Sequence, residues 1–525
     1  MQRAVIRANI VVFIASFCTL VIELVAGRIL APYLGVSLYT WTSIIGVVLA
    51  GISIGAYLGG LLADRFPRQT TLGFLLLLSG LGAFSIVPLT DQLGSLELRT
   101  SLMLRILTVT TMIFFVPSCL LGMISPVVVK LTLDNLDRTG NVVGKIYAFS
   151  TLGSILGTFA TGFFLISWMG TRLILFSIGA VLLISGLLFG GFFQHKRLLI
   201  LLLAPCAAMV LSFYAYGFKP LGDDPLIYFS TESDYYTIRL RLGHSTLKGG
   251  RVEAMVLDHL THSFTDVRDP LHLEYEYIRL YEELVRWRVK EKPFFSAMFI
   301  GGGGYTFPRF LHEKYPGAQM DVVEIDPEVT RIAEEYLGVP RSARIRTFNQ
   351  DARWFMMSSE EQGQYDFIFG DAFNDLSVPY HLTTREFGAL LKRRLKPDGL
   401  LMANLVDSYA NGLFLPSYIR TLEEVFGRGN VHVVTTSKEY GELRTGTFVV
   451  IAGRQPLDTE GFLRAGMEEN GNSGRLGNIM PQDVMQAYLQ TRPHKILTDD
   501  YVPVDNLLAG VFEERYGYRS EREEK

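Results

Sequence analysis

The sequence predicts an all-helical membrane region of about seven spans, followed by a soluble α/β domain built on a parallel sheet with a small β subdomain beside it. Three observations predict it. Charge is partitioned, since residues 1–218 carry 13 Lys and Arg and 6 Asp and Glu, whereas residues 219–525 carry 36 and 46. Apolar runs of span length recur throughout the first part, which is too poor in charge to present an ordinary water-facing surface. Beyond residue 226 short alternating strands give way to apolar strands separated by helical stretches, the pattern of a parallel sheet with helices on both faces.

A helix needs roughly 20 apolar residues to cross a hydrocarbon core of about 30 Å. Runs of that length stand near Asn9–Ala26, Trp41–Ala63, Thr71–Leu89, Leu102–Met123, Val143–Trp168, Leu173–Phe193 and Leu198–Phe218. The first leads into Glu23 and Arg28 without a small-residue cleavage pattern, so it reads as a span rather than a signal peptide. Cys18, Cys119 and Cys206 all lie inside apolar runs, without metal-ligand spacing, and no metal is expected. Gly51, Gly55 and Gly59 recur every four positions, the spacing that lets two helix backbones approach closely. Glu23, the one carboxylate inside an apolar run, is either a functional group or the partner of Arg28. Lys and Arg on alternate loops, nine against four, favour an inside N-terminus. Seven spans would then leave the soluble part outside, in conflict with a ligand supplied from the cytosol. The net negative charge of the second part disfavours nucleic acid as a partner.

In the second part, strands are expected at Leu226–Ser230, Tyr236–Leu242 and Val252–Leu257, with a Gly249-Gly250 turn, then a helix over Glu274–Val289. Apolar strands follow at Ala297–Ile300, Met320–Val323, Ile345–Phe348, Phe367–Phe369 and Leu400–Leu405. Ligands of open parallel sheets bind beyond the carboxyl ends of the strands, so the residues there are informative. The first ends in Gly301-Gly302-Gly303-Gly304, where missing Cβ atoms allow a ligand close to the backbone. The second ends in Glu324-Ile325-Asp326, an acidic acceptor for ribose hydroxyls. The third is followed by Asp351-Ala352, placed for an adenine amino group, and the fourth delivers Asp371. Four such features in register at successive strand ends indicate a Rossmann-type adenosyl site.

These residues carry a resemblance. Glu232-Ser233-Asp234-Tyr235 with Ile238, then Leu257-Asp258, the glycine loop, Glu324-Ile325-Asp326, Asp351-Ala352 and Asp371 follow the order and spacing of the spermidine synthase family of aminopropyltransferases. GGGGYTFPR (Gly301–Arg309), DAFNDLSVPYHLTT (Asp371–Thr384) and LTDDYVPVDN (Leu497–Asn506) resemble a bacterial branch in which such a domain is fused to a transporter-like membrane region. Gly59–Arg68 resembles the loop between helices 2 and 3 of major facilitator transporters.

The resemblance implies a class I methyltransferase-like catalytic domain over residues 291–455. It would be preceded by a transmembrane domain over 1–218 and a β subdomain with connecting helix over 219–290, and followed by an extension over 456–525. The implied activity moves an aminopropyl-type group from decarboxylated S-adenosylmethionine, or from S-adenosylmethionine itself, to an amine or polyamine and releases methylthioadenosine. Asp371 would be the catalytic base. Gly301 to Gly304, Glu324, Asp326, Asp351 and Ala352 would hold the donor, and Tyr235, Tyr236, Asp258, His262, Tyr305, Asn374, Asp375 and Tyr380 would line the substrate pocket. The implied setting is a bacterial inner membrane with the soluble domain cytosolic, and a homodimer is allowed for.

Departures from the family pattern limit this. The family's loop reads Gly-Gly-Gly-Asp-Gly-Gly and its Asp helps to hold the donor's cationic arm; here that place is Gly304, followed by Tyr305. Asn374, with Asp375 next, stands where a second acidic residue is usual; Tyr236 replaces Gln, and His259 and His262 replace Gly and Gln. Two further readings therefore stay open: methyl transfer or internal displacement on S-adenosylmethionine, and a membrane transporter or receptor with an adenosyl sensor. The Tyr305 and Thr306 hydroxyls are expected to face the donor arm, and an aspartate restored at position 304 is expected to recover preference for the decarboxylated donor.

Overall fold

The computed structural model describes residues 2–94, 96, 100–133, 139–192, 203–216, 224–290, 294–358, 361–372, 378–437, 446–462, 464 and 476–516. The chain divides into two compact units, Met1–Asp224 and Pro225–Lys525.

Among the described residues of the first unit six helices are long and apolar enough to cross a membrane: Val5–Leu34, Leu38–Arg65, Gln69–Leu93, Leu102–Thr132, Thr139–Trp168 and Thr171–Phe189. We number the helices α1 (Gln2–Leu34), α2 (Leu38–Arg65), α3 (Gln69–Leu93), α4 (Leu102–Thr132), α5 (Thr139–Ala160, continued by a π turn to Trp168) and α6 (Thr171–Phe189). The expected seventh span is described as a helix only over Leu203–Tyr216 (α7), and its flanks lie outside the described residues. The transporter-like segment forms the end of α2 and the turn into α3.

Helix contact in this unit depends on small residues. A Cβ on Gly55 would stand 2.1 Å from the Cys119 carbonyl oxygen of α4, and one on Gly59 would stand 2.6 Å from Met123 Cα. Gly51 lies in the same way against Ser118, so the four-residue repeat is the α2–α4 contact. Gly153 and Gly157 bring α5 equally close to the backbone of α1 at Phe13 and Phe17. The sequence did not single out the buried ion pair between Asp91 of α3 and Arg172 of α6, at 2.7 Å. The Tyr33 hydroxyl donates to the same carboxylate at 2.9 Å. Mutual pairing is the ordinary way such charges persist in an apolar bundle.

The second unit opens with an antiparallel four-stranded sheet, β1 (Ile227–Glu232), β2 (Thr237–His244), β3 (Arg251–Leu257) and β4 (Leu260–Thr265), in that order. Gly249 and Gly250, at φ of 67° and 99°, make the expected β2–β3 turn. The fourth strand was not anticipated. Asp258 adopts φ of 51° and closes a tight β3–β4 turn, which the alternating polar residues of LTHSFT disguise.

The larger sheet holds β5 (Phe294–Ile300), β6 (Gly317–Val323), β7 (Ile345–Phe348), β8 (Tyr365–Gly370), β9 (Leu395–Asp407), β10 (Val431–Thr435), β11 (Gly446–Gly453) and β12 (Asn478–Ile479). Its order is β12-β10-β11-β9-β8-β5-β6-β7, parallel from β9 to β7 and antiparallel beyond. The first five of these strands are the expected ones; β10 to β12 extend the sheet. Strand order reverses at β5, with β6 and β7 added on one side of it and β8 and β9 on the other, the switch point where parallel sheets open a crevice.

Among the described residues the unit also holds helices α8 (Glu276–Val289), α9 (Thr306–Lys314), α10 (Pro327–Tyr336), α11 (Ala352–Met357), α12 (Arg385–Arg394), α13 (Phe414–Phe426), α14 (Gln482–Thr491) and α15 (Val504–Tyr516). α8 buries Tyr277, Leu280, Tyr281, Leu284 and Val285, one stripe at helical spacing, against the sheet.

Candidate active site

At the switch point lies a cavity of about 860 Å³, lined by the glycine loop, Glu324, Asp351, Asp371 and one edge of the small sheet. The glycine loop leaves β5 through Gly301 and Gly303, at φ of 91° and 49°, conformations that cost a residue with a Cβ. A Cβ at Gly301 would also stand 2.6 Å from the Asp371 carbonyl oxygen. The loop thus runs hard against the end of β8 while it faces the cavity.

Glu324 at the end of β6 holds that loop. One carboxylate oxygen accepts from the Gly302 N–H at 2.7 Å and the Gly303 N–H at 3.4 Å, and the other accepts from the Asp326 N–H at 2.9 Å. Burial raises its pKa, and these backbone donors oppose the rise. The oxygen that accepts only from Asp326 keeps a lone pair for a hydroxyl in the cavity. Asp351 faces the same space with Ala352. It caps α11 through the Trp354 N–H at 2.9 Å and meets His381 Nε2 at 2.8 Å. Burial acts to raise its pKa, but the Trp354 and His381 hydrogen bonds outweigh this and hold it below the usual carboxylate range.

Asp371, just past β8, is half-buried on the cavity wall with both oxygens engaged. The Tyr277 hydroxyl donates at 2.7 Å to one and the Asn404 amide at 3.0 Å to the other. Burial raises its pKa; the two hydrogen bonds act in the opposite sense. The two neighbours fix its orientation. Neither partner was evident from the sequence. Tyr277 belongs to an apolar helical stripe with Tyr281, and Asn404 lies in the run of β9, so both read as structural.

Of the other expected residues, Gly301 to Gly304, Tyr235, Tyr236 and His262 line the cavity. Asp326 is turned away from it: it caps α10 through the Glu328 N–H at 2.9 Å and accepts from Ser233 of the small sheet. Asp258 accepts from the Thr237 N–H at 2.9 Å, which ties its left-handed turn to β2. Tyr305 points into the core, its hydroxyl 2.9 Å from Thr330 Oγ1 and 3.4 Å from Thr347 Oγ1. The Thr306 hydroxyl is bonded to Thr265 at 2.8 Å. Tyr305 is thus held in the core and away from the cavity, whereas Thr306 lines the cavity with its hydroxyl paired to Thr265. Tyr380 is 61% exposed and outside the cavity lining, whereas its neighbour His381 is in it. Asn374 and Asp375 lie outside the described residues.

The C-terminal LTDDYVPVDN segment braces this wall. Asp499 accepts from Arg353 of α11 and, at 2.7 Å, from the Thr384 hydroxyl, while the Arg385 N–H donates to the Leu497 carbonyl at 2.8 Å. It anchors the C-terminal end of the stretch that presents His381 to Asp351.

Residues 295–444 match the family profile of the spermine/spermidine synthase domain. A polyamine aminopropyltransferase of Vibrio vulnificus (strain CMCP6) is 40% identical over 131 residues, 25% of this chain and 43% of that protein. Polyamine aminopropyltransferase 2 of Aquifex aeolicus (strain VF5) is 23% identical over 475 residues, 86% of this chain and 88% of that protein. A crystal structure of a probable spermidine synthase from Corynebacterium glutamicum ATCC 13032 superposes with a TM-score of 0.45 at 22% identity, over 52% of this chain and 99% of that one. The match to the Vibrio protein thus spans less than half of that relative, while the match to the Aquifex protein runs through the helical unit as well.

Proposed function

We propose that this chain, whose C-terminal unit carries a spermidine synthase domain, is a membrane-bound alkyl transferase that uses an S-adenosyl sulfonium donor and an amine acceptor and releases methylthioadenosine. The observation that carries the proposal is Asp371, a half-buried carboxylate on the cavity wall with both oxygens oriented by Tyr277 and Asn404.

The chemistry sets the requirement. An alkylamine with a pKa near 10.4 is neutral in only about one molecule in a thousand at pH 7, a penalty of roughly 4 to 5 kcal/mol that a positioned base lessens. Asp371 takes the proton as the amine nitrogen forms its bond to the donor's propyl carbon. The carbon–sulfur bond breaks, its electron pair stays on sulfur, and the sulfonium leaves as a neutral thioether. Glu324 accepts from the ribose hydroxyls, Asp351 takes the adenine amino group, and the glycine loop lets the sulfonium lie against backbone. Their shared work is placement of nitrogen, carbon and sulfur in line.

The first unit crosses the bilayer, and the second faces the cytosol. The cytosolic supply of an adenosyl sulfonium donor is what supports this side, and an even number of crossings would reconcile it with the positive-inside bias. A reporter fused after Lys525 is expected to be active on the cytosolic side.

The test is incubation of the purified full chain with each donor, with and without putrescine, and identification of the nucleoside product. Methylthioadenosine formed only with an amine supports the proposal. S-adenosylhomocysteine would replace it with methyl transfer, methylthioadenosine without any acceptor with internal displacement, and no turnover with a binding module.

A further inference from the structure

The membrane unit holds two carboxylates in its apolar spans, and it treats them differently. Asp91 is engaged by the Arg172 guanidinium at 2.7 Å and the Tyr33 hydroxyl at 2.9 Å. Glu23 is half-buried, and among the described residues no hydrogen bond or ion pair, from Arg28 or any other side chain, engages its carboxylate. Within the span Val5–Leu34 it stands about 27 Å from one end and about 16 Å from the other, well inside a hydrocarbon core. A charge left there without a partner is costly, so such a group is a ligand site by default.

Its surroundings supply the rest of a site. Gly153 lies on Phe13 and Gly157 on Phe17, so α1 and α5 run side by side in the same direction. On one flank of that contact Ser16 Oγ meets Ser150 Oγ at 2.6 Å. Glu23 follows Ser16 by seven residues, two helical turns, and so continues the same flank along α1. On α5 Ser154 and Thr158 follow Ser150 at steps of four, both half-buried. The Thr158 hydroxyl donates to the Ser154 carbonyl at 3.0 Å and keeps its lone pairs, and no hydrogen bond engages the Ser154 hydroxyl among the described residues. One turn further the π turn Thr161–Leu165, still in contact with α1, breaks the α-helical hydrogen-bond ladder, an arrangement frequent at functional sites.

We infer that the membrane unit binds an alkylammonium cation at Glu23, with the Ser154 and Thr158 hydroxyls as its neutral acceptors. An ammonium carries three N–H donors, which one carboxylate and two hydroxyls satisfy, while the apolar faces of both helices take a carbon chain. A hard metal ion asks for six or more oxygen ligands, and no cluster of three acidic, His or Cys side chains stands among the described residues. The choice of an amine rests on the amine-acceptor reading of the second unit: both units would then bind one class of cation.

The test labels the full chain, in detergent and saturated with methylthioadenosine, with dicyclohexylcarbodiimide, an apolar reagent for carboxyl groups in membrane spans. Mass spectrometry measures the adduct on Glu23. Hexylamine or putrescine at about ten times its dissociation constant is expected to slow that labelling about 10-fold, and sodium chloride at the same ionic strength to leave it unchanged. Calorimetry with hexylamine is expected to find two sites in wild type and in Glu23→Asp, which keeps the charge, and one in Glu23→Gln. Unchanged methylthioadenosine affinity and a monodisperse peak show that the variants are folded. Labelling that follows pH but not amine, equal protection by sodium, or two amine sites in Glu23→Gln overturns the inference. Amine protection of Glu23 in a chain that alkylates no amine would instead overturn the acceptor reading of the cavity and leave this site standing.

Discussion

Two regions of this molecule are built on glycine, and they use it for opposite ends. In α2, Gly51, Gly55 and Gly59 are spaced by four and helical, and the missing Cβ atoms are replaced at once by the backbone of α4. In the loop after β5 the glycines are consecutive, two of them have positive φ, and one face is left open to the cavity. Spacing distinguishes the two roles: a helical repeat closes a protein–protein contact, whereas a run bends the chain and keeps a surface bare. Gly304 shows that the distinction holds residue by residue, because within that same run it is a packing glycine, covered by Ser263.

The comparison can be broken most directly at the open loop, where the largest effects are expected. Asp371→Asn removes the base and leaves the shape of the cavity, so turnover should fall by about 100-fold or more while methylthioadenosine affinity is kept. Single-turnover kinetics alongside calorimetry checks this, and unchanged turnover would remove Asp371 from the mechanism. Glu324→Ala comes next. It removes a ribose acceptor and also the anchor of the Gly302 and Asp326 N–H groups, so methylthioadenosine binding should weaken by about 1.5 to 3 kcal/mol. Wild-type affinity in this variant would show that the loop keeps its form without Glu324.

How much of this was legible in the sequence follows from what each residue type must do. Strand ends were legible because an apolar run that stops at Gly301, Glu324, Asp351 or Asp371 changes chemistry abruptly, and four such stops in series define one edge of a sheet. Asp326 and Asp258 were misplaced for a shared reason. A carboxylate beside a turn has two employers, a ligand and the local backbone N–H, and here the backbone took both. Tyr305 was misjudged because its hydroxyl is as well satisfied by Thr330 in the core as by a ligand. Tyr277 and Asn404 carry no spacing signal, since they reach the site from α8 and β9, and only the folded sheet brings them together. The strand β4 itself was hidden by polar alternation, so the packing of Ser263 on Gly304 had no trace in one dimension.

The helical repeat supplies the third comparison. A Cβ on Gly55 meets a backbone oxygen at 2.1 Å, and backbone cannot rotate aside, so Gly55→Val must push α4 away. Overpacking of this kind typically costs about 1 to 3 kcal/mol. Thermal unfolding in detergent, followed by the loss of a monodisperse peak, should show the variant melting earlier with methylthioadenosine affinity unchanged. An unaltered melting point would mean that α2 and α4 are not held at the distance described, and that the four-residue repeat has another purpose.

The smallest expected effect is also the one that most sharpens the reading of Asp371. Its pKa is raised by burial, while the Tyr277 and Asn404 hydrogen bonds pull it down because they stabilise the charged form. A base must be ionised to act, so the acidic limb of kcat/KM should lie above the ordinary carboxylate pKa of about 4, and activity should fall as pH drops through it. Tyr277→Phe removes one donor to the anion and leaves the burial. The folded pKa then rises further, and the acidic limb moves to higher pH. A hydrogen bond to a charged group is worth about 1.5 kcal/mol at the low end, which corresponds to roughly one pH unit. At pH well above that limb Asp371 is ionised in both proteins, so most of the rate should return. A variant whose rate is lower by the same factor at every pH would show that Tyr277 acts through packing or on the substrate, and not through the ionisation of Asp371.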